Sequence, residues 1–151
     1  MNKGSEWIRW DLHVHTRSSK DYKYMQDDAE EKLVEEWKRQ GIKAVAITDH
    51  FIIDSDRINK LRELAKGEIT IFPGVELRTD KGSTNIHVIG IFSEHENLKN
   101  LQNDFEAIML RSNKNKDKFE KIFWDFKEIE EFIRDRNGII TIHAGNKSNG
   151  I

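Results

Sequence analysis

Five of the six histidines in this 151-residue chain fall at or beside the ends of short apolar runs, which in α/β proteins is where ligands and metals gather. His13 and His15 stand at i and i+2 in Ile-Arg-Trp-Asp-Leu-His-Val-His, an alternating pattern that places both imidazoles on one face of a strand. From there both can reach one ion at about 2.0–2.1 Å without bending the backbone. Asp49-His50 ends a second apolar run, Gly74-Val75-Glu76 a third, His87 lies in a fourth and His143 ends the last. With Asp21, from the polar stretch after the first run, the set is His13, His15, Asp21, His50, Glu76, His87 and His143. That is too many donors for one tetrahedral ion. It suits two or three Zn, Mn or Fe ions, with the Glu76 carboxylate as the natural bridge. The chain has no cysteine, so thiolate sites, thiol nucleophiles and disulfides are excluded.

One histidine at a strand end is more often a hydrogen-bonded structural residue than a ligand; five in register make ligation the better account. His95, in the charged turn Ser-Glu-His-Glu-Asn, is read as a solvated surface residue. Asp11 and Asp49 neighbour these histidines and either orient imidazoles or cap the turns that follow. Arg17, Lys20, Lys23, Arg78 and Lys147 fall near the same rim as candidates to hold a phosphate, against the ordinary role of basic residues as surface. Trp7 and Trp10 read as core or domain-interface residues, and the stretch from Lys114 to Lys121 as a solvated helix end.

The elements that must position these groups alternate. Strands are expected at Ile8 to His15, Ile42 to Thr48, Ile69 to Leu77, Asn85 to Phe92 and Ile139 to His143. A helix is expected from about Asp27, where Asp27 and Glu30 form a capping-box pattern and Leu33, Val34 and Trp37 supply the apolar stripe; Gly41 closes it. Another spans Ser55 to Lys66, and a third runs from Asn97 but weakens at Ser112 to Lys116. A fourth opens at Asp125 with Glu128 and ends at Asn137-Gly138. Thr79 to Ser83 is a turn between the third and fourth strands. This is an α/β chain of strand–helix units.

Composition bounds the rest. Lys plus Arg number 25 and Asp plus Glu 27, a net charge of −2, with 36% hydrophobic and 34% charged residues. That is one domain or a piece of one, with highly charged outer faces and no broad basic platform for nucleic acid, although bound cations would still attract phosphate. No stretch approaches the ~18 apolar residues of a membrane span, and MNKGSEW lacks a signal-peptide core, so the expected address is cytoplasmic.

The motifs Asp11-Leu12-His13-Val14-His15-Thr16, Thr48-Asp49-His50, Gly74-Val75-Glu76, His87 in His-Val-Ile-Gly and His143 in His-Ala-Gly together resemble the PHP (polymerase and histidinol phosphatase) family. The resemblance implies a distorted (β/α)7 barrel holding up to three ions that hydrolyse phosphoesters. By position, His13, His15 and Glu76 would bind the first ion, Asp21 and His50 the second, and Glu76, His87 and His143 the third. The opening Trp-x-x-Trp-Asp-Leu-His-Val-His-Thr most resembles the N-terminal PHP domain of large bacterial proteins with an ATPase module downstream. The family's late Asp-x-His is absent and about five strands are present. Residues 1–151 are therefore expected to be an incomplete barrel, an N-terminal fragment lacking one ligand from each of the first two ions.

The function expected of the intact protein is hydrolysis of a phosphomonoester or phosphodiester, possible substrates including nucleic acid or nucleotide. Metal coordination lowers the pKa of a bound water toward ~7 and neutralises charge on the phosphoryl oxygens. His13, His15, Glu76 and His143 are the candidate catalytic group. The rivals are a non-catalytic structural or regulatory PHP domain and another barrel hydrolase such as an amidohydrolase, which would attack C–N bonds.

Overall fold

A computed structural model describes residues 7–79, 86–111 and 125–143. The elements run β1 (Arg9–Val14), α1 (Ala29–Arg39), β2 (Ile42–Ile47), α2 (Ser55–Ala65), β3 (Thr70–Arg78), β4 (His87–Ile91), α3 (Leu98–Arg111), α4 (Phe126–Arg134) and β5 (Ile139–Ile142). The strands form a curled five-stranded half-barrel in the order β1-β2-β3-β4-β5, the mixed α/β arrangement expected of the strand–helix pattern.

β1, β2 and β3 are parallel, joined through α1 and α2. β4 then runs antiparallel to β3, and β5 antiparallel to β4. The reason lies in the connection: eight residues separate Arg78 from His87, too few for a helical crossover, so the chain reverses. β3 also continues two residues past Glu76. Of the expected turn after it, Thr79 is described; Asp80 to Ser83 lie outside the described residues, as do Ser112 to Lys121 and Lys147.

Alternate residues of each strand feed opposite faces. Val45, Ile71 and Val88 enter the main core with Val34 and Trp37 of α1, Ile58 and Leu61 of α2, Leu101 and Phe105 of α3, and Ile129, Phe132 and Ile133 of α4. Their neighbours Ala46, Phe72 and Ile89 pack with Ile91 in a second, smaller cluster. Trp10 leans on Phe72 but stays half exposed, and Trp7 is fully exposed, so neither is a core residue within the described chain. β1 and β5 each have one strand neighbour among the described residues, and Trp10 and Leu12 on one and Ile139 and Ile142 on the other are exposed. Among the described residues, no helix is long and apolar enough to cross a membrane.

Helix ends follow local chemistry with one exception. Asp54 caps α2 by accepting from Arg57 N, and Asp125 caps α4 by accepting from Lys127 N. Gly41 takes φ +70° after α1. The capping box expected from Asp27 and Glu30 does not form. The cap residue is Asp28, without a side-chain cap bond, because Glu30 is wholly buried and its carboxylate is held by Arg17 and Arg57 while Asp27 reaches Arg17 from solvent.

Gly74 shows why the third strand carries glycine two residues before Glu76. A Cβ there would lie 2.7 Å from the Gly90 carbonyl oxygen and 3.0 Å from that of Ile47, both backbone atoms of flanking strands. Gly74→Ala must spread β3 from its neighbours, and chemical denaturation should show a stability loss of about 1–3 kcal/mol. An unchanged midpoint would show that the sheet absorbs the methyl group.

Candidate metal centre

The topology carries donors to one rim from both strand directions. His15 follows Val14 at the C-terminal end of β1, Asp49-His50 follows β2, Glu76 lies near the end of β3, and His143 directly follows β5. β4 runs the other way, so its first residue, His87, is the one that reaches this rim. The seven residues singled out by spacing, His13, His15, Asp21, His50, Glu76, His87 and His143, together line one cavity of about 390 Å³.

At its floor is Glu76, 1% exposed. Its Oε2 lies 2.8 Å from His13 Nε2 and 2.9 Å from His15 Nε2; its Oε1 lies 2.5 Å from His87 Nδ1. His50 Nδ1 at 3.6 Å and His143 Nδ1 at 3.5 Å complete a ring of five imidazoles around one carboxylate. Asp21, half exposed, reaches His50 Nε2 at 3.3 Å. The backbone fastens the strand ends: Glu76 N donates to Asp49 O and Phe51 N to Glu76 O. Phe51 holds φ +57° to do so, an uncommon conformation for an aromatic residue.

Burial alone would raise the Glu76 pKa, but hydrogen bonds from His13, His15 and His87, with a further electrostatic contribution from His50, hold it well below the ordinary carboxylate range. Burial disfavours the charged form of His15, yet its bond to and attraction by Glu76 prevail and its pKa is raised. For His50 burial dominates: its pKa falls to about 4, the pull of Glu76 offsetting only part. Burial lifts Asp49 to about 6 against the donations of Thr16.

Do these residues fit a metal? His13 Nε2 and His15 Nε2 are 3.0 Å apart, and two ring nitrogens at that distance can share at most one proton. With Glu76 Oε2 they form a triangle of edges 2.8–3.0 Å, near the roughly 3.3 Å between ligand atoms of a tetrahedral ion with ~2.05 Å bonds. Among the described residues the buried Nδ1 of His143 has no hydrogen-bond partner. Three donor groups lie close enough to hold an ion: His13, His15 and Glu76; His15, Asp21 and His50; His50, Glu76 and His87. The donor set, all nitrogen and oxygen, fits divalent metal. The grouping differs from the ligand sets expected by position: His15 joins Asp21 and His50, and His50 takes the place of His143 beside Glu76 and His87, because the His50 ring packs edge-on against both His15 and His87.

Several expectations for neighbouring residues change. Asp49 accepts from Thr16 N at 2.6 Å and Thr16 Oγ1 at 2.7 Å, capping the turn after β1; Asp11 accepts from the His13 backbone. Arg17 is committed to Glu30 by two parallel bonds and is not placed to hold a phosphate. Arg78 points to the site: its Nε donates to His87 Nε2 at 3.1 Å. Since arginine cannot accept, the proton on His87 in this metal-free arrangement sits on Nδ1, directed at Glu76; a metal at Nδ1 would move it to Nε2 and break the Arg78 contact. Lys20 and Lys23 are exposed, and so is His95. Glu30 was misread as part of a cap, and Ser19 was missed. Glu30 lies on the apolar stripe with Val34 and Trp37, at i, i+4 and i+7, which was a legible signal. Ser19, buried beside His15 and His50, had none.

The PHP domain family matches residues 11–146, and the chain belongs to that family. No curated protein matches it. Among solved structures it is similar to an amidohydrolase from Chromobacterium violaceum, solved with bound sulfate and no metal, at 14% identity and a TM-score of 0.55, over 88% of this chain and 66% of that one. It is also similar to a protein of Bifidobacterium adolescentis provisionally named a metal-dependent phosphoesterase, at 17% identity and a TM-score of 0.44, over 93% of this chain and 46% of that one. The chain thus spans less than two thirds of either. The first of these likenesses supports the fold.

The His50 shift sets a pH dependence. Its pKa is about 4 in the fold against 6.5 ordinarily, so the folded state binds fewer protons between these values. The stability this contributes is present above about pH 6.5 and lost as pH falls to about 4, on the order of 2–3 kcal/mol. In chelator-treated protein, His50→Gln should lose correspondingly less stability than wild type over that interval. Parallel losses would contradict the assignment.

Proposed function

We propose that this chain is the metal-binding domain of a phosphoester hydrolase acting on phosphomonoesters or phosphodiesters, nucleic acid or nucleotide included. The observation that carries this reading is the ring of five imidazoles within 3.6 Å of one buried carboxylate, opening on a cavity of about 390 Å³. Membership of the PHP domain family supports it. His13, His15 and Glu76 would hold one ion, His15, Asp21 and His50 a second, and His50, Glu76 and His87, with His143 beside them, a third. Zn, Mn or Fe all suit such donors. Bound there, divalent ions supply an acidified water and positive charge facing the phosphoryl oxygens.

The chain's own groups do the positioning. Glu76 stays ionised and draws the rings inward, so their nitrogens converge before any ligand arrives. Arg78, beside His87, adds positive charge at the rim, which favours an anionic substrate. By the same reading the domain stands at the N-terminus of a larger cytoplasmic protein, with an ATPase module downstream.

Elemental analysis of the purified protein should find two to three equivalents of Zn, Mn or Fe, reduced in His13→Ala/His15→Ala. Phosphomonoester or phosphodiester hydrolysis by the full-length protein should disappear with chelator and return with metal. Cleavage of amides without phosphoesters would move the assignment to an amidohydrolase, and metal-free full-length protein would move it to a structural or regulatory domain.

A further inference from the structure

Ser19 is 1% exposed and sits in the turn after β1, where its N donates to Thr16 O and its carbonyl accepts from Tyr22 N. Its hydroxyl meets two elements of the site. Oγ accepts from the backbone N–H of His50 at 2.9 Å and lies 3.2 Å from Nδ1 of the His15 ring. The other nitrogen of that ring, Nε2, faces the converged donors, 3.0 Å from His13 Nε2 and 2.9 Å from Glu76 Oε2.

A neutral imidazole that offers one nitrogen to a metal must carry its proton on the other. For His15 that is Nδ1, and the acceptor in contact with it is Ser19 Oγ. A hydroxyl oxygen has two lone pairs, so it can take His50 N–H and His15 Nδ1–H together. We infer that Ser19 is a positioning residue that holds His15 in the tautomer with Nε2 free to ligate and ties that ring to the backbone of His50. The inference rests on the metal reading above. His15 belongs to two of the three donor groups and His50 to two, so one hydroxyl sets the geometry of a pair of sites. Asp49, the carboxylate whose sequence position left such a role open, is occupied by Thr16.

The test compares wild type, Ser19→Ala and Ser19→Thr, which keeps the hydroxyl, each checked for folding by circular dichroism. Zn²⁺ affinity is measured by chelator competition, and the His15 ring is read by ¹H–¹⁵N spectra of the Zn²⁺-loaded protein. In wild type the proton should be on Nδ1 and protected from exchange with solvent. Ser19→Ala should weaken Zn²⁺ binding about 10–100-fold and lose that protection, whereas Ser19→Thr should restore both to within about threefold of wild type. A fold defect alone would not remove the Nδ1–H signal from a folded, loaded variant. Ser19→Ala binding Zn²⁺ as tightly as wild type, or a wild-type His15 protonated on Nε2, overturns the inference and leaves the metal reading standing. Wild type that takes up no Zn²⁺ overturns both. Should Ser19→Ala not fold, the wild-type tautomer and the Ser19→Thr affinity decide.

Discussion

A carboxylate buried to 1% exposure must find compensation or give up its charge, since removing an ion from water costs several kcal/mol. At Glu76 the compensation comes from five imidazoles delivered by four other strand ends. This one requirement constrains much of the surrounding structure. The strand ends must converge within hydrogen-bond reach, which is why Glu76 and Asp49 exchange a backbone bond and why Phe51 accepts a strained φ directly after His50. The strand beneath must lie close enough to its neighbours that residue 74 has no room for a side chain. A ring of nitrogens around one acid also brings two of them to 3.0 Å, with room for at most one proton between them, an arrangement that a cation can replace.

Bringing donors from both ends of strands to one rim is a matter of direction. β1, β2, β3 and β5 contribute residues near or beyond their C-terminal ends. β4, reversed by its short connection, contributes its first residue instead. A fourth parallel strand would have put its start, and His87 with it, at the opposite end of the sheet. The hairpin is therefore as much a part of the site as the histidine it delivers.

Behind the imidazoles lies a second arrangement of charge. Glu30, wholly buried in α1, accepts from Arg17 and Arg57 and is approached by Lys60, so the loop after β1 is clamped to α1 and α2. Ser18 extends it, donating to Asp54 and accepting from Arg57. Asp49 and Ser19 then fix the near side of the same loop to the end of β2. The loop carrying Asp21 is thereby anchored on both flanks.

The order of elements, the strand–helix alternation and the seven polar residues that line the cavity were legible in the sequence, because period, punctuation and residue type are local properties. His-x-His on an alternating strand reports its own geometry: side chains two apart in a strand share a face. The Gly-x-Glu motif could be read as a site, but the reason for its glycine is the Gly90 carbonyl 2.7 Å away on another strand. Glu30 read locally as half of a capping box, and its true partners are 13, 27 and 30 residues distant in sequence. Arg17 likewise read as either a candidate phosphate holder or a surface residue, and the fold instead sets it against Glu30. The pairing of Ser19 with His15 and His50 follows from the same cause. Residue types and periods belong to the chain, whereas the direction of β4, the ionisation of Glu76 and the partners of each polar group depend on which strands lie side by side. Only tertiary structure decides that, because burial and hydrogen bonding are properties of neighbours in space.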